Sequence, residues 1–474
     1  MKNSQLSETL GKLNKAELKE FGKFIRSPFF NNRSEVIRFH EAAKKYYPSF
    51  DSKTLTDENI FAEVYPGKKY NSVNMRKLYS LVTGLVMEYI GVKGFRESTL
   101  EYNVKLIFKL REKEMLSLFE KKSKSLDALF AASKRSFGYY ESKYKYTTVM
   151  NWQRLNRNEK SMISNLQSEL DEFIEYFVGV SMLMYIRLGA WERGLNVKFD
   201  LKFHSEVTKY LSEQDPGEVT LATLYYNMLM LLNTGEEKYF FELQRKRDKF
   251  ESKLTGGDHY NIELVLIQYC YEMVNKGLIE YRRHQFEITK RIVEKNLFPE
   301  GHIEPYFFTN AVRNASNLKE LGWSEQFVSD YKKRVDPVMR EEIVQYSTAM
   351  IEFNKGNYEA ALKNLSKINL EISNMKLDIK NLLVIIYYEL SYYEELISLI
   401  DTYKHYLTRD KSISEKTKQI YTNFINVVSE LLKIKLNEKS GSILKLKKGI
   451  KELSVSGFSE WLLKKADEFD LPVK

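Results

Sequence analysis

Three features of the sequence predict an all-α fold: sparse turn residues, apolar residues recurring at the helical period, and a helix-turn-helix spacing repeated in the second half. The 474 residues include only 21 Gly and 8 Pro, whereas a β-sandwich or barrel needs a turn about every 8 to 12 residues. Length alone suggests about three domains' worth of chain. Hydrophobic residues make up 43% and aromatics 14%, with 32 Tyr and 28 Phe, which is enough apolar surface to offset the entropy of ordering the chain. Stacked helices are the expected result.

Residues 1–95 read as a compact helical module. Asn14 stands three residues before Glu17, with Leu13 and Leu18 at the staple positions, so a helix should start there. Leu18, Phe21 and Ile25 mark its buried face, and Ser27-Pro28 ends it. Asn32 and Glu35 open a second helix carrying Val36, Phe39, Ala43 and Tyr47 up to Pro48. Thr56 opens a short third one that Pro66-Gly67 terminates. Asn71 opens a fourth, in which Leu78, Leu81, Val82, Leu85 and Tyr89 keep the 3.6 period and Gly91 and Gly94 close the helix.

Residues 96–215 are expected to form three to five antiparallel helices, since no proline occurs before Pro216. Within them, RSFGYYESKYKYTTVMNW mixes aromatic and basic residues as a base-stacking surface would. Phe137, Tyr140 and Tyr144 nevertheless share one helical stripe, which favours core aromatics with snorkelling lysines.

Between residues 216 and 407, five segments share one skeleton: an apolar helix, a turn residue, an aromatic or aliphatic residue, and a second helix. The turns are assigned to Gly235, Gly277, Gly322, Gly356 and Ser391. One helix pair cannot bury both faces, so such units stack on their neighbours. The segment AMIEFNKGNYEAALKNLSKI resembles a tetratricopeptide repeat, with Ala349, Gly356, Tyr358, Ala361 and Leu365 at the small, glycine, aromatic, small and large-apolar places. VIIYYELSYYEELISLI resembles the next repeat through Tyr387, Tyr393 and Ile400, with Ser391 replacing the glycine, and Ala315, Leu318, Gly322 and Tyr331 fit a preceding one. The two earlier segments match only in helix period and turn glycine.

The resemblance implies an α-solenoid whose first helices line a concave surface that holds a peptide or partner helix. Two residues before each assigned turn stand Asn233, Asn275, Glu320, Asn354 and Glu389, a polar ladder suited to an extended backbone. Tyr225, Tyr271, Tyr346, Phe353 and Tyr388 stand near it in the same register. The competing reading puts the aromatics in the core and the polar residues at helix ends. Residues 408–474 read as a terminal cap: a helix over about 414–434 with Phe424, Val427, Val428 and Leu431, then two more helices beyond Ser440-Gly441.

Motifs for chemistry are missing from the sequence. It contains no H-E-x-x-H, no G-x-S-x-G and no G-x-G-x-x-G, so neither enzymatic activity nor a cofactor is expected. Glu300, His302 and Glu304 are the nearest approach to a ligand set, and Pro305 after them suits a helix start instead. The longest uncharged run, Val219 to Gly235, is interrupted by Thr and Asn, so no membrane span is expected. MKNSQLSETLGKLNK has no signal-peptide core, and Cys270 is the single cysteine, which together point to the cytoplasm. Residues 1–160 hold 31 Lys and Arg against 18 Asp and Glu. The expected function is a protein-protein interaction scaffold for a peptide or partner helix. The alternative is a nucleic-acid-binding regulator that uses these basic 160 residues.

Overall fold

The computed structural model describes residues 4–156, 161–194, 197–215, 217, 219–299, 301–368, 373–411, 413–436, 443–452, 455 and 458–469. Those residues form twenty-three α-helices, three short 3-10 turns and no strand, so the fold is all-α. The chain divides into two compact units, one of residues 1–132 with 148–159 and one of 133–147 with 160–474.

The first unit contains α1 (Gln5–Lys12), α2 (Lys15–Phe24), α3 (Ser34–Ala43), α4 (Asp57–Val64), α5 (Ser72–Glu97), α6 (Thr99–Glu112) and α7 (Leu116–Ala132). At the start of α2, Asn14 Oδ1 accepts from the amides of Ala16 and Glu17 at 2.9 and 3.0 Å. Glu17 returns a carboxylate oxygen to the Asn14 amide at 2.9 Å, so the expected capping box forms. Leu18, Phe21, Ile25, Val36, Phe39, Leu78, Val82, Leu85 and Tyr89 meet in one core with Leu6 and Leu10 of α1, a helix the sequence reading lacked. The second helix starts at Ser34 and stops at Ala43, earlier than Pro48, and passes into a 3-10 turn over Lys44–Tyr46. Gly91 and Gly94 do not close α5, which continues to Glu97. A glycine inside a helix costs only about 1 kcal/mol against alanine, and Lys93 between them pairs with Glu17 of α2 at 3.1 Å.

His40 of α3 is buried, and its Nε2 lies 3.1 Å from the Leu18 carbonyl. Burial holds its imidazole below the usual 6.5. Beside it, Lys44 and then Arg26 pull the Glu41 carboxyl down to about 2, against the cost of its own desolvation. A depressed histidine contributes stability that is complete above its unfolded pKa and is lost as pH falls through the folded value, and a depressed carboxylate acts the same way lower down. Amide exchange in α2 and α3 should therefore accelerate as pH drops below about 6.5, after correction for intrinsic rates. In His40→Gln the acceleration should start only toward the range of Glu41. Identical profiles for the two proteins would remove His40 as the cause.

α8 (Phe137–Asn156) runs from the second unit into the first. The second unit continues with α9 (Ser161–Gly194), α10 (His204–Ser212), α11 (Leu221–Thr234), α12 (Glu237–Phe250), α13 (Gly256–Asn275) and α14 (Tyr281–Glu294). It then forms α15 (Pro305–Asn317), α16 (Leu321–Tyr331), α17 (Arg340–Lys355), α18 (Tyr358–Leu365), α19 (Ser373–Glu389) and α20 (Tyr393–Arg409). α21 (Glu415–Lys435), α22 (Ile443–Glu452) and α23 (Ser459–Asp467) end the described chain, three helices where three were expected. From α11 to α20 the helices pack as consecutive pairs, and the first helices also touch one another, α11 on α13 and α15 on α17.

The turn within each pair is made by a residue of positive φ: Gly235, Gly277, Lys319, Gly356 and Ser391. The third differs from the sequence assignment, because Gly322 lies inside α16 and Lys319 takes the left-handed conformation at φ 64°. With Lys319 as the turn the intervals are 42, 42, 37 and 35 residues. Position two before the turn then becomes Asn317 in place of Glu320. A non-glycine residue in this conformation is uncommon, which is why sequence alone favoured the nearby glycine.

Ala361 of α18 has no exposed surface and faces the crossing with α17. Ala361→Leu adds volume to a packed contact and should destabilise by about 1–3 kcal/mol, read as a lower urea midpoint of the second unit. An unchanged midpoint would mean the crossing has slack.

Candidate functional site

The predicted site residues separate into three groups. Tyr225, Tyr346 and Tyr388 are at most 1% exposed, so they belong to the core and present no face to a partner. Two of the three hydroxyls are hydrogen-bonded inside the fold, and that of Tyr388 is buried without a hydrogen bond among the described residues. Tyr225 donates to Asp258 at 2.8 Å and Tyr346 accepts from Arg313 at 2.7 Å, while Tyr388 lies edge-on to Trp461 of α23 with Lys435 over its ring. Phe353 is half-buried between two core clusters. Tyr271 is half-buried as well and lines a cleft with Gln285, Asn310, Arg313 and Asn317.

The ladder residues are mostly engaged. Asn354 Nδ2 donates to Asn317 Oδ1 at 3.2 Å and to the Met350 carbonyl at 3.1 Å, and its own carbonyl accepts from Lys319 at 2.8 Å. Glu320 pairs with Arg283 at 2.9 Å. Glu389 accepts from Trp461 Nε1 at 2.6 Å and from Lys465 at 2.9 Å, which ties α19 to α23. Asn233 is exposed at the end of α11. The Asn275 side chain lies outside the described residues. At Asn354 and Glu389 these groups join neighbouring helices, the helix-end role that competed with ligand binding.

The sequence reading missed a buried cluster drawn from four successive first helices and α21. Arg313 of α15 donates 2.7 Å bonds to Tyr346 of α17 and Asp378 of α19, and the Tyr421 hydroxyl of α21 reaches the same carboxylate at 3.2 Å. Burial alone would lower the Arg313 pKa, but Asp378 holds it well above its usual value. Tyr271 of α13 is within electrostatic reach of the guanidinium. Arg313, Tyr346, Asp378 and Tyr421 thus bond one another between the first helices. Nothing in the local sequence marks them, because Arg313 and Asp378 are 65 residues apart.

Next to this cluster an open pocket of about 280 Å³ remains between α13, α14 and α15. Leu264, Ile267, Phe307 and Ala311 give it apolar walls, and Gln268, Gln285, Thr289 and Asn310 set polar groups among them. Gln285 and Asn310 also line the cleft beside Tyr271, so pocket and cleft adjoin. Tyr260 is buried in its wall with a hydroxyl that makes no hydrogen bond, and burial pushes its pKa up to about 12. The hydroxyl is therefore a neutral donor without an acceptor, a costly state in a buried group. Tyr306 keeps 48% of its surface open, and desolvation raises its pKa too.

A second charged cluster is internal. Glu263 of α13 has no exposed surface; it bonds Arg247 of α12 at 2.9 Å and His259 at 3.0 Å, and the charge of Arg291 of α14 lies 3.2 Å away without a hydrogen bond. Cys270 is buried and its thiol is pushed far up in pKa by desolvation, so it stays protonated. Among the described residues no group of three His, Cys, Asp or Glu is placed to hold a metal ion. Glu300 lies outside the described residues, and His302 faces Asp336 at 3.6 Å. In the basic first unit, Arg26 and Lys44 pair with Glu41, Lys45 with Glu63, Lys93 with Glu17 and Lys109 with Glu112. No family model, curated protein or solved structure matches the chain.

Proposed function

We propose that the chain is a non-enzymatic interaction scaffold of tetratricopeptide-like helix pairs, and that it binds a peptide or partner helix by an apolar anchor side chain. The pocket between α13, α14 and α15 carries this reading, since it joins apolar walls to a few convergent polar groups. The anchor would fill the pocket, while Gln285 and Asn310 would bond the adjoining backbone. A positive-φ turn within each of the five helix pairs, and the fully buried Ser324 and Ala361 each five residues after such a turn, support the repeat resemblance.

Panning the full chain against a displayed random-peptide library tests this. Enriched peptides should share an apolar residue flanked by an acceptor. Leu264→Trp, which fills the half-exposed wall, should weaken them by at least about tenfold, and Asn310→Ala by a smaller factor. Failure to enrich any peptide, or binding indifferent to Leu264→Trp, would count against the pocket.

A further inference from the structure

α9 has two apolar faces. Val178, Met182, Tyr185 and Ile186 are buried toward α11. On the other side Ile163, Leu166, Leu170, Phe173, Phe177, Met184 and Trp191 are 40 to 71% exposed, an unusual outlay of large side chains on one helix. Their spacing alternates between three and four residues, with the half-buried Val180 and the exposed Arg187 completing the series. This is a heptad seam four repeats long, narrower than the stripe a helix turns to a globular core. The same helix contains the 28 residues Asn165–Glu192, long and apolar enough by composition to cross a membrane.

Charge along the helix selects the occupant. Glu169 and Asp171 lie in its first half, Glu172 and Glu175 are turned inward to Thr147 and the Ala222 amide, and no Lys or Arg occurs between Lys160 and Arg187. A helix lying on a lipid surface carries Lys and Arg on its flanks, and this one carries carboxylates. A seam of this kind mates with another seam. Antiparallel pairing centred between Val178 and Gly179 sets Phe177 against Val180 of a second copy, Phe173 against Met184 and Leu166 against Trp191. In that register Arg187, the one charge in the seam, lies over Leu170 of the second copy and beside its Glu169. Parallel pairing would place Arg187 against Arg187.

We propose that the chain forms a two-fold homodimer through an antiparallel coiled coil of α9, an isologous interface that closes on itself. Sedimentation velocity of the full chain across a concentration series tests it, with circular dichroism on each variant. The wild type should sediment as a dimer. Leu170→Glu with Phe177→Glu should raise the dissociation constant by about a hundredfold or more. Arg187→Glu alone should raise it by about tenfold, and adding Glu169→Arg to the same chain should restore it. Should the double glutamate variant unfold, the charge exchange at exposed positions still decides. A wild type that stays monomeric, a dimer unaffected by the seam variants, or a monomer that sediments with phosphatidylcholine vesicles would each overturn the proposal.

Discussion

Glu263→Ala is expected to destabilise the second unit by about 3–5 kcal/mol, because it leaves buried Arg247 charged and without the carboxylate whose two oxygens accept from its Nη1. Arg291 retains Asp248 and Glu251 at 3.1 and 2.9 Å and so loses less. Among the described residues Arg247 then keeps Asp248, a half-exposed carboxylate. Two units in one chain do not unfold as a single step, so urea unfolding is best followed by amide exchange in α12 to α14. The paired change Arg247→Met with Glu263→Leu removes both buried charges and should recover most of the loss. A single alanine variant as stable as the wild type would show that water already reaches Arg247.

The second large effect is expected at Asp378. Arg313 and Asp378 are 8% and 7% exposed, so Asp378→Ala strands a guanidinium that the Tyr346 hydroxyl alone cannot compensate, at a cost of about 3–5 kcal/mol. Asp378→Asn keeps an acceptor for Arg313 and Tyr421 and should cost less, so the difference between the two variants measures the stranded charge. Because the cluster fills the space between α15, α17, α19 and α21, its loss should spread to all four helices in amide exchange. Protection lost in α19 alone would mean that the cluster does not couple them. Peptides selected by the pocket should bind the folded fraction of Asp378→Asn as they bind the wild type, since the pocket itself is walled by α13, α14 and α15.

Helix positions and most boundaries were legible because their causes are local. A capping box at Asn14, a Thr56 cap and a Ser414 cap each act within one turn of backbone. Ala361, read as a helix-crossing position, is fully buried. The third turn was misplaced because Lys319 takes a backbone conformation that residue type does not announce. That three-residue shift carried Glu320 into the ladder and left Asn317, the residue Asn354 bonds, outside it.

Sequence by itself determined the all-α class, the paired helices from α11 to α20 and the three terminal helices, since propensity, caps and the 3.6 period operate between near neighbours. Only the tertiary structure decided which polar and aromatic groups face inward. Tyr225, Tyr346 and Tyr388 occupy helix positions that look equally suited to a binding wall, and they are buried because partners 33 residues or more away in the chain cover them. The Arg313–Asp378 pair, the Glu263 cluster and the pocket beside Tyr260 arise the same way, from side chains that meet only after whole helices have packed. Their spacing in sequence follows loop lengths rather than helix period, so no local pattern encodes them.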